Sequence, residues 1–172
     1  MGYDYDRLYR STREALGAPT RVFVDFFARQ AGGRLRVLDV GCGQGRDALF
    51  IGRAGHSVLG IDLAPCGIRD LDAAARAEGL DVLGIVADIT RDLPEERFDV
   101  VLADRTLHML GDAVRPVVLG KLLDQVVPGG WCLIADEPRN IAGFRRVAAG
   151  RGAAWQVETA RKGHLFLRRL PS

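Results

Sequence analysis

Short, nearly continuous apolar runs alternate with longer amphipathic stretches between Arg34 and Gly130. Leu35–Val40 predicts a buried first strand, followed by glycines and a helical run from Arg46 to Ala54. Ser57–Asp62 predicts a second strand ending in an acid, and the alanine-rich Pro65–Glu78 a helix. Asp81–Ala87 and Phe98–Ala103 give the third and fourth strands. Asp112–Val127 reads as a long amphipathic helix closed by Pro128-Gly-Gly130, with a fifth strand at Trp131–Ala135. Apolar strands separated by helices are what a parallel sheet covered on both faces requires. Right-handed crossovers then gather the strand C-termini along one edge, where ligands bind.

The last two strands read differently. Ala154–Thr159 and His164–Arg168 are separated by only a few residues around Lys162-Gly163. A parallel crossover needs far more chain, so this pair predicts an antiparallel hairpin. The expectation is an α/β fold with a seven-stranded, mostly parallel sheet ending in that hairpin. Ahead of the first strand, Pro19–Gln30 predicts a helix with Pro19 in its first turn and Val22, Phe23, Phe26 and Phe27 as its apolar face. Tyr3, Tyr5, Arg7, Tyr9 and Arg10 form an aromatic and basic N-terminal stretch, read either as a lid or as a frayed terminus.

At 172 residues the chain suits one domain, with residues 1–32 as an N-terminal lid and helix and 33–172 as the core. No apolar run approaches the roughly 20 residues needed to span a bilayer, and the acidic start does not read as a signal peptide. Three cysteines, Cys42, Cys66 and Cys132, have no metal-like spacing, so a reduced, cytoplasmic protein without a metal site is the simplest reading. From Arg139 onward eight basic residues face one acid, leaving about +7; the net +2 then puts −5 on the preceding part. That asymmetry reads as a scattered, solvated arginine surface or as a face for an acidic partner.

The candidate chemistry begins at Asp39-Val-Gly-Cys-Gly-Gln-Gly45. A strand, glycines and then a helix bring a backbone close to a ligand. The third glycine of Gly-x-Gly-x-x-Gly is missing, and Asp39 sits just before the first glycine. A carboxylate there opposes a pyrophosphate but suits a ligand carrying an ammonium, which favours S-adenosylmethionine over a nicotinamide cofactor. Asp62 ends the second strand, where it can accept from ribose hydroxyls, and Asp88 ends the third, where it can accept from an adenine amino group. Acids at three neighbouring strand ends, in register, make the signal; capping of the following helices is the competing role.

Val37–Pro65, with Asp88, Phe98–Ala103 and Pro128-Gly-Gly130, resembles the class I methyltransferase family. The resemblance implies a Rossmann-like three-layer sandwich and S-adenosylmethionine as cofactor, with S-adenosylhomocysteine as product. It implies that Asp39 and the backbone of Gly41, Cys42, Gly43 and Gly45 hold the methionine moiety. Asp62 would take the ribose, Asp88 the adenine, Ile89 would lie near the ring, Leu63 would be a further cofactor contact, and the Ala103 backbone would face the amino group. Arg46 would reach the cofactor carboxylate or pair with a surface acid. Gly45–Ile51 followed by Ala54-Gly-His56 resembles the tellurite-resistance and thiopurine methyltransferase-like branch, whose members methylate small, soft nucleophiles.

The loop after the fourth strand, Asp104–Leu110, carries the candidate catalytic residues. His108 has the pKa range of a base, and Arg105 could steer an anionic acceptor; packing against the core and a surface ion pair are their structural alternatives. The Asn/Asp-Pro-Pro-Tyr/Phe clamp of amino-methylating DNA enzymes is absent, as is a correctly placed Pro-Cys nucleophile. A Lys/Asp/Lys/Glu tetrad is excluded because the only lysines are Lys121 and Lys162. The expected partner is a small-molecule methyl acceptor; a nucleic acid or protein on the basic C-terminal surface is the alternative, as is a non-catalytic binding module. Only a short piece, Glu137–Arg151, precedes the hairpin, implying an open pocket or one completed by the second subunit of a homodimer.

Overall fold

The computed structural model describes residues 4–30, 32–152 and 154–171. The chain divides into two compact units, residues 1–92 and 93–172. The first holds α1 (Tyr5–Ser11), α2 (Arg21–Phe27), β1 (Arg36–Val40), α3 (Arg46–Arg53), β2 (Ser57–Asp62), α4 (Pro65–Glu78) and β3 (Val82–Val86). The second holds β4 (Phe98–Asp104), a single 3₁₀ turn at Leu107–Met109, α5 (Arg115–Asp124), β5 (Val126–Ala135), α6 (Pro138–Ala149), β6 (Trp155–Arg161) and β7 (His164–Arg169). The strands form a seven-stranded sheet of order β3-β2-β1-β4-β5-β7-β6. β1–β2, β2–β3 and β4–β5 pair parallel, and the β5-β7-β6 end is antiparallel, as the sequence pattern predicts. Among the described residues no helix is long and apolar enough to cross a membrane.

In the first unit β2 and α4 fall where the pattern puts them, residue for residue. Val37, Leu38 and Val40 of β1 are wholly buried, which is the cost-free arrangement only for a strand covered on both faces. α2 is shorter than Pro19–Gln30 because Thr20 precedes it in an extended conformation, its N–H donated to Asp47 Oδ1 (3.1 Å). Phe23, Phe26 and Phe27 are buried as expected, while Val22 is half-buried. The N-terminal stretch is helical from Tyr5, capped by Asp4 Oδ1 accepting from the Arg7 N–H (3.0 Å). Tyr3 lies outside the described residues. No helix joins β3 to β4, and the edge strand β3 leaves Leu83 and Ile85 exposed.

Three readings of the second unit change. α5 starts at Arg115, with Pro116 in the first turn where its missing N–H is harmless. It ends at Asp124, because the chain joins the sheet at once: the Phe98 N–H donates to the Gln125 carbonyl (2.8 Å) and Val126 pairs with Phe98. β5 therefore begins five residues before Trp131, and Pro128-Gly-Gly130 lies inside it as an irregularity between the Phe98 and Val100 pairings. A proline is tolerated in a strand at such a bulge. The piece after β5 folds as the twelve-residue α6, burying Ile141, Phe144 and Ala148 at helical spacing. The hairpin turns through Lys162 and Gly163, both at positive φ (50° and 80°), the pairing a tight two-residue turn demands.

Candidate active site

Gly41, Gly43 and Gly45 all lie at positive φ, which folds Gly41–Gly45 into a tight turn between β1 and α3. Its N–H groups are largely used within the unit. Gly41 and Cys42 donate to the Ile61 carbonyl (2.8 and 3.1 Å), Gly45 donates to the Cys42 carbonyl (2.8 Å), and Gly43 donates to Asp62 Oδ2 (2.9 Å). A phosphate-binding nest needs such donors free. A turn that has spent them, with carboxylates beside it, fits a cation and not a pyrophosphate.

Asp62 is half-buried at the tip of β2, with Oδ2 taking the Gly43 N–H and Oδ1 the Ala64 N–H (2.8 Å). Burial pushes its carboxyl above the ordinary range, opposed by these backbone hydrogen bonds. Asp39 is buried in β1, one residue before its end at Val40, opposite Gly60. The acids are staggered rather than in register. Asp39 pairs with Gly60, Asp62 pairs with Val86, and Asp88 stands two residues beyond Val86. Each step along the tips is thus two residues, about 6.6 Å where the backbone is strand. Asp88 also fulfils its capping alternative: Oδ1 accepts from the Thr90 N–H (2.9 Å) and hydroxyl (2.7 Å), which hold its carboxyl below the usual range. Ile89 is buried, whereas Leu63 is 66% exposed, an apolar side chain left beside Asp62.

Tyr9, which the sequence singles out only as part of the lid-or-frayed N-terminal stretch, is carried by α1 into this unit. It is buried, and a Cβ at Gly43 would lie 2.5 Å from its hydroxyl, so only glycine lets the phenol rest on the turn. Burial, then the Asp62 charge, raise the Tyr9 pKa, so the phenol stays protonated. Gln44 ties the same segment down, donating to the Thr12 carbonyl (2.9 Å) and Asp70 (2.9 Å) and accepting from the Ala15 N–H (3.0 Å). Arg46 forks onto Asp47 Oδ2 through Nε (3.1 Å) and Nη2 (2.7 Å); this is the ion pair expected as its alternative role, but largely buried. Cys42 is buried, and burial raises its thiol pKa well above the ordinary value, so it is no nucleophile.

In the second unit Ala103 is buried in β4. Arg105 follows at φ 55°, an uncommon conformation for a residue with a Cβ, its N–H donated to the Ala135 carbonyl (2.7 Å). Its side chain is exposed and makes no ion pair among the described residues. The His108 side chain is 21% exposed, with Nδ1 buried and 3.7 Å from Asp136 Oδ2. Asp136, wholly buried just after β5, was missed by the sequence reading. Its Oδ2 accepts from the His108 N–H (2.9 Å) and its Oδ1 from the Glu137 N–H and Asn140 Nδ2 (both 2.7 Å). Arg115 fixes the same loop from α5, donating to the carbonyls of Leu107 (3.0 Å), His108 (3.3 Å) and Leu110 (2.6 Å).

The first unit thus presents a tight glycine turn with the carboxylates of Asp39 and Asp62 beside it. The family pattern for a methyltransferase domain matches residues 37–130, and the chain belongs to that family, the S-adenosylmethionine-dependent class I methyltransferases. It is 31% identical over 116 residues to the ubiquinone biosynthesis O-methyltransferase of Rhodopseudomonas palustris, covering 67% of this chain and 45% of that protein. It is 32% identical over 156 residues to the phthiotriol/phenolphthiotriol dimycocerosates methyltransferase of Mycobacterium tuberculosis, covering 86% of this chain and 52% of that one. The chain spans about half the length of these relatives. A structure solved in work on the conversion of a disulfide bond into a thioacetal group during echinomycin biosynthesis superposes with a TM-score of 0.71. It is 25% identical, covering 97% of this chain and 91% of that one.

Proposed function

We propose that this chain transfers a methyl group from S-adenosylmethionine to a small-molecule acceptor. The observation that carries the reading is the glycine turn whose N–H groups are consumed internally while Asp39 and Asp62 stand beside it. In this reading Asp39 and the Gly41–Gly45 backbone, with Cys42 in it, hold the methionine moiety. Asp62 takes the ribose, Leu63 and Ile89 flank the adenine, Asp88 accepts from its amino group, and the Ala103 backbone faces the amino group. Arg46, already holding Asp47, is assigned to the cofactor carboxylate. Residues 1–32 serve as lid and helix and 33–172 as the core of one domain, with Tyr9 the lid residue that touches the turn.

When bound, the cofactor supplies an electrophilic methyl group on a sulfonium. The chain's own part is then mostly positioning and exclusion of water, with Arg105 and His108 on the acceptor side. Two relatives, named for O-methylation in ubiquinone biosynthesis and for methylation of phthiotriol and phenolphthiotriol dimycocerosates, support a small-molecule acceptor. The test is calorimetric titration with S-adenosylhomocysteine, alongside NAD as a control. Saturable binding of the first and none of the second is expected; the reverse, or no binding of either, ends the reading.

A second reading narrows the acceptor to sulfur or a heavier chalcogen, as in the tellurite-resistance and thiopurine-like branch. The likeness to the structure from the thioacetal work favours it. The branch-like Ala54-Gly-His56 does not discriminate, because His56 is buried and its Nδ1 accepts from the Leu35 N–H (3.2 Å), a structural task. Turnover of thiol or selenium oxyanion acceptors, and not of hydroxyls, would select this narrower reading.

A further inference from the structure

We propose that Asp136 is a positioning residue that fixes the ring of His108 with Nδ1 protonated and the Nε2 lone pair presented as a base. The acceptor is accordingly one that must lose a proton, an O–H or S–H compound. This rests on the methyl-transfer reading above. The geometry that carries it is the wholly buried Asp136 carboxylate, which holds the His108 backbone N–H at 2.9 Å and stands 3.7 Å from the buried His108 Nδ1.

An ionised carboxylate is acceptor-only, so a lone pair on Nδ1 would face another lone pair across that gap. A proton on Nδ1 turns the same contact into an attraction. At 3.7 Å the pair is not yet a hydrogen bond, and catalytic contacts of this kind commonly close only when the ligand arrives. Asp136 cannot easily turn away, because the Glu137 N–H and Asn140 Nδ2 both hold its other oxygen at 2.7 Å. The histidine is equally constrained, since Arg115 grips the carbonyls on either side of it. Nδ1 is buried, so the exposed part of the ring is carried by its remaining atoms.

In the step that follows, a lone pair on the acceptor oxygen or sulfur forms the new bond to the methyl carbon. The carbon–sulfonium bond breaks and its electron pair stays on the cofactor sulfur. The acceptor's proton passes to His108 Nε2, and the imidazolium so formed faces Asp136 before releasing the proton to solvent. A soft anion such as a selenide would make no use of this arrangement.

The experiment is nitrogen-15 NMR of histidine-labelled protein at alkaline pH, where free imidazole is neutral. The chain has only three histidines, and His108→Gln assigns the signal. The expected result is a His108 ring locked in the Nδ1–H tautomer, the one free histidine disfavours. In Asp136→Asn the lock is lost and the signal moves to the Nε2–H or averaged pattern, as an amide N–H donor cannot face an N–H. Should Asp136→Asn fail to fold, the wild-type spectrum alone decides. A wild-type His108 in the Nε2–H tautomer, or averaging like a free side chain, overturns the proposal. Binding of S-adenosylhomocysteine, measured on the wild-type sample, separates the outcomes: a wild-type His108 without the Nδ1–H lock but with binding intact refutes the Asp136 role alone, and a locked wild-type tautomer without binding refutes the cofactor reading.

Discussion

The glycine turn and the loop after β4 solve the same problem in opposite ways. At the turn, consecutive residues from Gly41 to Gly45 fold back on β2, and neighbouring strand ends supply the acids. After β4, one buried carboxylate from the far end of β5 gathers the N–H of His108, the N–H of Glu137 and the amide of Asn140. The first arrangement centres on five consecutive residues tied to the tip of the next strand, 19 positions on at Asp62; the second has no such continuous turn and joins separate segments as far as 28 positions apart. A local device tolerates change outside it, whereas a dispersed one fails wherever any contributor moves.

Gly163→Ala should have the largest effect, because it strikes the dispersed region at its tightest point. A Cβ there would collide with the Asp136 backbone carbonyl, and φ is already 80°. Urea unfolding should show a loss of about 3 kcal/mol from overpacking and left-handed strain together. A near-neutral result would mean that the hairpin turn yields without disturbing Asp136.

Asp62→Ala probes the local region. It should weaken S-adenosylhomocysteine binding by about 2 kcal/mol, roughly thirtyfold, through lost hydrogen bonds. Unchanged affinity in calorimetry would move the ribose elsewhere. The smallest expected effect is a pH dependence beside the start of β1. Burial lowers the His56 pKa below 6.5, and its Nδ1 must stay unprotonated to accept from the Leu35 N–H. The unfolded chain therefore takes up the proton first, and stability should fall as pH drops through 6.5 towards the folded-state value. Urea midpoints compared across that range should show the slope in the wild type and a flatter line in His56→Gln.

Legibility in the sequence followed the same division. Apolar runs separated by helices carried the strand count, the hairpin and the boundaries of β2 and α4, because burial on both faces leaves a continuous signal. Asp39, Asp62 and Asp88 were readable because each sits at a strand end. Their stagger was not, since register depends on pairing partners rather than on local sequence. Asp136 gave no local sign: an acid followed by Glu137-Pro138 looks like any helix start. α6 did leave a trace in the spacing of Ile141, Phe144 and Ala148. The early start of β5 was hidden by Pro128, which reads as a stop. Tyr9 was visible as an aromatic residue, but its seat on Gly43 depends on α1 folding back over the turn.

The bare margin at β3 has a practical side. Val82–Val86 has no charge and no proline, and Leu83 and Ile85 point to water at the end of the sheet. Unpaired strand backbone flanked by such side chains invites stacking by another chain. Concentrated stocks will therefore cloud from that margin first, and a lysine gatekeeper there is the remedy when crystals or spectra demand high concentrations.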